Sequence, residues 1–108
     1  MLRENLDDLV ENGKVGDWCF VTLKNGDLNL FLRYPVKDDR LGDLPIEEQR
    51  GDILRVPVQS STEMVWQWDG NREAPTLSPS ILIRGGDGNG GRKEYWHGFL
   101  RNGKIETV

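Results

Sequence analysis

The chain has 108 residues, a formal net charge of −4, one histidine and one cysteine. This length suits one domain, so we expect residues 1–108 to share one hydrophobic core. The negative charge lies mainly in residues 1–63, which argues against direct nucleic-acid binding, because that needs a basic surface. No apolar run is long enough for a membrane span or a secretory signal, and a single cysteine excludes an internal disulfide. A cytoplasmic location is therefore predicted.

The amino terminus predicts a short helix. Leu2, Leu6, Leu9 and Val10 follow the i, i+4, i+7, i+8 spacing that places apolar residues on one helix face. About three turns are marginal in isolation, so this helix is expected to pack against the rest of the domain.

Residues 17–34 predict a β-hairpin, because Asn25-Gly26 separates two apolar runs. A two-residue loop would place Trp18 opposite Arg33, where a cation–π contact can form. Both faces of this hairpin carry large apolar side chains, so we expect both to be covered.

Residues 37–52 form an acidic stretch with weak periodicity and predict a long loop. Long loops in compact domains are often functional, so we predict that its carboxylates bind a partner protein with a basic surface. A solvated loop is the alternative. The predicted partner-binding residues are Asp38, Asp39, Asp43, Glu47, Glu48 and Asp52.

A short strand follows at residues 53–58. Pro57 has no backbone N–H to donate, which predicts an edge position for this strand. An edge strand of this kind can also pair across a homodimer.

Residues 64–84 predict a strand, a stiff loop and a second strand. Trp66 and Trp68 share one strand face, and Pro75 and Pro79 hold the following loop in a non-helical conformation. We interpret the two indoles as core rather than as a stacking platform for bases or sugars. In the loop, Asp69, Asn71 and Glu73 predict a turn whose side chains bond its own backbone, with a cation site as the alternative.

The last residues predict a second hairpin after a flexible glycine tract at 85–91. Tyr95, His97 and Phe99 alternate onto one face, and a tight turn follows at residues 102–103. One short N-terminal helix and about six strands predict a mainly β fold (β-rich α+β), either a small antiparallel sandwich or a partly open barrel.

No catalytic residue, metal site or cofactor is predicted. His97 has Glu106 on the same predicted strand face, but a structural role is the simpler interpretation. Cys19 lies among aliphatic residues and predicts an inert buried thiol. Ser60, Ser61 and Ser80 lack the glycine pattern of a nucleophile elbow.

Two segments resemble a known family. They are Trp66-x-Trp68-Asp69-Gly70-Asn71-x-Glu73-x-Pro75-Thr76-Leu77-Ser78-Pro79-Ser80-Ile81 and Trp96-His97-Gly98-Phe99-Leu100-x-Asn102-Gly103. Together they resemble a family of small phage and prophage proteins of unknown function, often labelled ammonia-monooxygenase-like. Many relatives carry Cys-His where this chain has Trp96-His97, with further cysteines and histidines beyond, so a metal site in those relatives would lack its ligands here.

The resemblance implies a phage or mobile-element origin. We therefore predict a non-enzymatic accessory protein that acts by protein–protein binding, for example an inhibitor of a host defence system such as an anti-CRISPR. The alternatives are a metal-dependent or His97-centred enzyme of unknown substrate, and a minor virion or assembly component.

Overall fold

The computed structural model describes residues 1–36, 50–86 and 88–108. These residues contain one helix and eight strands, which we number in chain order. They are α1 (Leu6–Asn12), β1 (Trp18–Thr22), β2 (Leu28–Tyr34), β3 (Asp52–Gln59), β4 (Gln67–Trp68), β5 (Leu77–Ser78), β6 (Ile81–Gly86), β7 (Arg92–Arg101) and β8 (Lys104–Thr107).

The described strands form three small antiparallel sheets, in the orders β1-β2-β3, β4-β5 and β6-β7-β8. The predicted mainly β fold with one short N-terminal helix is therefore confirmed. A single cluster of buried side chains joins the sheets, with Trp18, Leu30 and Val56 from the first sheet meeting Ile81 and Trp96 from the third.

The first hairpin has a different register from the predicted one. Trp18 lies opposite Leu32 rather than Arg33, because the loop has three residues and ends in Gly26 at φ 90°. The extra residue matches a turn followed by a left-handed glycine, a common alternative to the two-residue loop. Both faces of β2 are nevertheless buried, as expected.

Arg33 therefore points to the helix instead of stacking on Trp18. Its guanidinium donates hydrogen bonds to the carbonyls of Leu9 at 2.9 Å and Val10 at 2.7 Å, near the carboxyl end of α1. The Leu9 carbonyl also accepts the Gly13 N–H at 3.0 Å, so the guanidinium adds a charged donor at the end of the helix that favours positive charge. The helix is shorter than its sequence pattern suggested, because it begins at Leu6. Its apolar face is also less buried than expected, since only Leu9 is buried and Val10 is 47% exposed.

Two further sequence predictions are confirmed by the strand pairing. β3, which contains Pro57, lies at an edge of its described sheet. The turn at Asn102 and Gly103 has two residues with positive φ, and it pairs Leu100 with Ile105. The glycine tract is only partly a loop, because its first two residues belong to β6.

The segment between β4 and β6 is held by its own side chains. Asp69 Oδ1 accepts the N–H of Asn71 at 3.0 Å, and Asn71 Oδ1 accepts those of Glu73 and Ala74, each at 3.0 Å. This is the self-bonded turn that the sequence predicted. The tryptophans on either side of Gln67 are half-buried and pack against the core cluster.

Helix α1 has seven residues, and the described part of the chain contains no helix that is long and apolar enough to cross a membrane.

Candidate functional site

The pairing of β6 with β7 places a serine next to the only histidine. Leu82 lies directly opposite His97 in this register, so their side chains share one face of the sheet. Ser80 comes two residues before Leu82 and therefore reaches the same face, diagonally across from His97. The opposite face of the same strands packs into the core through Ile81 and Trp96.

The two side chains are hydrogen-bonded. Ser80 Oγ lies 3.1 Å from His97 Nε2, and both residues are half-buried, so solvent and ligands can reach them. When the ring proton is on Nδ1, the Ser80 hydroxyl donates this hydrogen bond and Nε2 accepts it. A nucleophile and its general base require side chains within this hydrogen-bond reach. We refer to Ser80 and His97 as the dyad.

Backbone hydrogen bonds support the strand that carries His97 and the loop that leads to Ser80. The loop before Ser80 is tied to the β7–β8 turn, because Gly103 N–H donates to the Pro75 carbonyl at 2.9 Å. His97 lies on the middle strand of its described sheet, and its carbonyl accepts the Val108 N–H at 2.9 Å. Because a serine hydroxyl must be fixed to attack productively, this support has chemical value.

Glycine is required directly after the histidine. A Cβ on Gly98 would collide with the Trp96 ring and would lie 2.6 Å from the Glu106 carbonyl oxygen. The Trp96 indole is buried and its N–H donates to Thr107 Oγ1 at 3.0 Å, so it has little room to move. Because Gly98 has no side chain, the Trp96 ring and the β8 backbone can pack closely against the residue that follows His97.

The contact between His97 and Glu106 that the strand register allows does not form. Glu106 lies opposite Phe99, as predicted, but its carboxylate accepts from Arg101 at 3.0 Å. Among the residues that the structure describes, no carboxylate pairs with the imidazole, and the site is a dyad of serine and histidine.

The other candidate residues have structural roles. Burial raises the pKa of the Cys19 thiol to about 11, with the Asp8 charge as a smaller cause, so this thiol stays protonated and unreactive. Ser60 Oγ donates to Asp27 at 2.8 Å and accepts two backbone N–H groups of its own turn. Within the described ranges, no group of three or more potential metal ligands comes together.

Most of the predicted acidic partner site lies outside the described residues, namely Asp38, Asp39, Asp43, Glu47 and Glu48. Asp52 is described: it is exposed, and its carboxylate accepts the N–H of Ile53 at 2.8 Å. Binding of a basic partner by this set, and pairing across a homodimer, stay predictions.

Sequence reasoning missed Ser80 because it searched for a serine within a local glycine motif. The partners here are 17 residues apart and meet only through strand pairing. One signal was present: residues 81–83 and 94–100 both predict strands, and pairing them antiparallel brings the residue before the first strand toward His97.

A protein-family model matches part of the chain. The family is described as "Bacterial ubiquitination-like system serine protease (BubE)", and its model matches residues 49–108, more than half of the chain and the part that contains the dyad. No significant match was found among curated proteins or solved structures.

This match corrects the sequence-based function. The prediction of a non-enzymatic phage or mobile-element accessory protein that inhibits a host defence system is wrong, because the matched family consists of proteases of a bacterial system. The resemblance to a phage protein family stays an untested expectation.

Proposed function

The chain belongs to the BubE family of bacterial ubiquitination-like system serine proteases, and on this premise we propose that it is a serine protease with Ser80 as nucleophile and His97 as general base. The observation that carries the assignment is the 3.1 Å contact between Ser80 Oγ and His97 Nε2. The family description requires a reactive serine, and Ser80 is the one whose hydroxyl meets the chain's only histidine.

The chemistry follows from the contact. Ser80 Oγ attacks the carbonyl carbon of the scissile bond while His97 Nε2 takes the hydroxyl proton. The resulting imidazolium then gives this proton to the departing amine as the carbon–nitrogen bond breaks. Water, deprotonated by the same imidazole, releases the acyl group and restores the serine. The substrate is proposed to be a protein of the ubiquitination-like system that the family description names.

Within the described ranges the imidazole has no carboxylate partner, so other parts of the fold must orient it. In a triad the acid fixes the tautomer and orientation of the imidazole. Here β7, which carries His97, is hydrogen-bonded to β6 on one side and to β8 on the other, and this pairing restrains the backbone to which the imidazole is attached. We place the reaction in the cytoplasm, because the only cysteine is a free, buried thiol, as suits a reducing compartment.

Covalent labelling tests the assignment without knowledge of the substrate. A small fluorophosphonate reacts with serine hydroxyls that are activated by a base, and peptide mass spectrometry locates the adduct. We expect one adduct, on Ser80. Changing His97→Gln keeps a side chain of similar size and is expected to lower the labelling rate at least about 10³-fold, since the general base is lost.

Ser61→Ala is the matched control, because Ser61 is an exposed serine on a turn away from β6 and β7. This variant should label at the rate of the unchanged protein. Labelling on a serine other than Ser80, or equal labelling of the His97→Gln variant, would contradict the proposed function.

A further inference from the structure

A cavity of about 250 Å³ is lined in part by the residue that precedes the proposed nucleophile. Met64, Val65, Trp66 and Pro79 line it, and Pro79 is covalently bonded to Ser80. The wall of the cavity and the reactive hydroxyl therefore belong to consecutive residues. Because consecutive Cα atoms are about 3.8 Å apart, the Pro79 wall lies about one residue's length from Ser80.

The lining is apolar throughout its described residues. Met64 is 93% exposed and Val65 is 42% exposed, although burial of such side chains is favourable. The indole nitrogen of Trp66 is buried, so the ring presents carbon rather than its N–H to the cavity. A charged group that entered would lose its hydration without gaining a partner there.

The segment before the cavity is fixed by side-chain contacts. Arg55 forms a two-pronged ion pair with Glu63, with N–O distances of 2.9 and 3.0 Å. Trp66 itself is anchored to β3, because its backbone N–H donates to the Pro57 carbonyl at 3.0 Å. A preformed cavity loses less entropy on binding than one that must be assembled.

We propose that this cavity is a specificity subsite, which accepts a large apolar side chain of the substrate residue beside the scissile bond. Leucine, methionine and phenylalanine are the occupants that its lining favours. The subsite rests on the proposed function, because it gains this meaning from a reactive Ser80. It adds the chemical class of side chain that the protease selects.

Peptidyl diphenyl phosphonates provide the test. In this reaction Ser80 Oγ bonds to phosphorus, a phenolate leaves, and His97 takes the hydroxyl proton. The series carries leucine, phenylalanine, glutamate or lysine at the two positions nearest the phosphorus. We expect the apolar members to modify Ser80 at least about tenfold faster than the charged members, since burial of one large apolar side chain contributes that much or more.

A variant pair locates the preference. Met64→Glu places a charge at the cavity mouth. Because Met64 is highly exposed, this substitution is expected to leave the fold intact. Its preference for apolar phosphonates should fall at least about tenfold. Leu23→Glu is the control, because Leu23 is also an exposed apolar residue but lies at the first hairpin turn. This control should keep the preference.

Labelling by the small fluorophosphonate, which carries no peptide side chain, separates the two ideas. If it labels Ser80 at equal rates in both variants while the phosphonate series shows no apolar preference, the subsite is wrong and the protease assignment stands. If it fails to label Ser80 in the unchanged protein, both ideas fail.

Discussion

Buried polar groups are arranged differently in the two halves of the molecule. Around α1 and β2, Arg33 is 7% exposed and donates to four backbone carbonyls, those of Leu9, Val10, Arg50 and Gly51. On the face of β6 and β7, the half-buried dyad makes one side-chain hydrogen bond among the described residues. A buried side chain that makes many hydrogen bonds to the backbone stabilises the fold. A side chain that makes few can instead bond to a substrate.

The same contrast applies to Asp17 in the first half. Asp17 is 7% exposed, and its carboxylate accepts from Arg3 Nε at 2.9 Å, from the Met1 amino group at 3.0 Å and from the Lys14 N–H at 3.0 Å. We therefore expect changes in the first half to lower the free energy of unfolding, and changes at the dyad to lower reactivity. Three experiments test this separation.

The largest effect is expected at Arg33. Arg33→Met keeps the apolar stem but removes every donor, and we expect the free energy of unfolding to fall by about 2–4 kcal/mol, because buried carbonyls lose a charged partner. Urea unfolding measures this change, and Arg92→Met, at an exposed arginine, is the matched control. The folded fraction of the Arg33 variant should still label at Ser80. A loss of labelling in folded molecules would break the comparison.

A change at Gly98 is expected to affect both the stability of the fold and the reactivity of the dyad. Gly98→Ala forces Trp96 or β8 to move, with an expected loss of about 1–3 kcal/mol in unfolding free energy. Because His97 is the preceding residue, a shift of about 1 Å also predicts labelling of Ser80 slower by up to about 10²-fold.

Gly86→Ala is the control for Gly98, since Gly86 is on β6, has a negative φ and leaves open space for a Cβ. It should leave both measurements unchanged. If Gly98→Ala destabilises the protein but labels normally, the dyad tolerates movement of β7, and the fixed geometry inferred here is not required.

The smallest effect concerns pH. Burial of Asp17 acts to raise its pKa, but hydrogen bonds from the Lys14 N–H, the amino terminus and Arg3 outweigh it, and the pKa is lowered overall. A lowered pKa contributes stability that is present above the ordinary carboxyl range and is lost as pH falls through the folded-state value. At neutral pH, Asp17→Asn should cost about 1 kcal/mol.

Thermal unfolding from pH 7 down to pH 2 measures this contribution. The unchanged protein should approach the Asp17→Asn variant in stability as the pH falls below about 4, where the carboxylate of the unfolded chain is protonated. A difference between the two proteins that stays constant over the whole range would show that the charge of Asp17 is not the cause.

Local sequence patterns determined much of this fold. Asn102 and Gly103 specify their turn because both residues accept positive φ, and Pro57 marks an edge because it has no N–H to donate. The turn after Trp68 was likewise readable, since aspartate and asparagine bond nearby backbone groups. These features involve neighbours in the chain, so no knowledge of distant contacts is needed.

Contacts between residues far apart in the chain decided the role of Arg33 and the identity of the site. A third loop residue moved Arg33 away from Trp18 and onto the end of α1. Ser80 and His97 became partners because antiparallel pairing of β6 and β7 brings together residues that the sequence separates. A side chain's chemistry depends on what lies within about 3 Å of it, and for residues far apart in the chain only the folded backbone sets that distance.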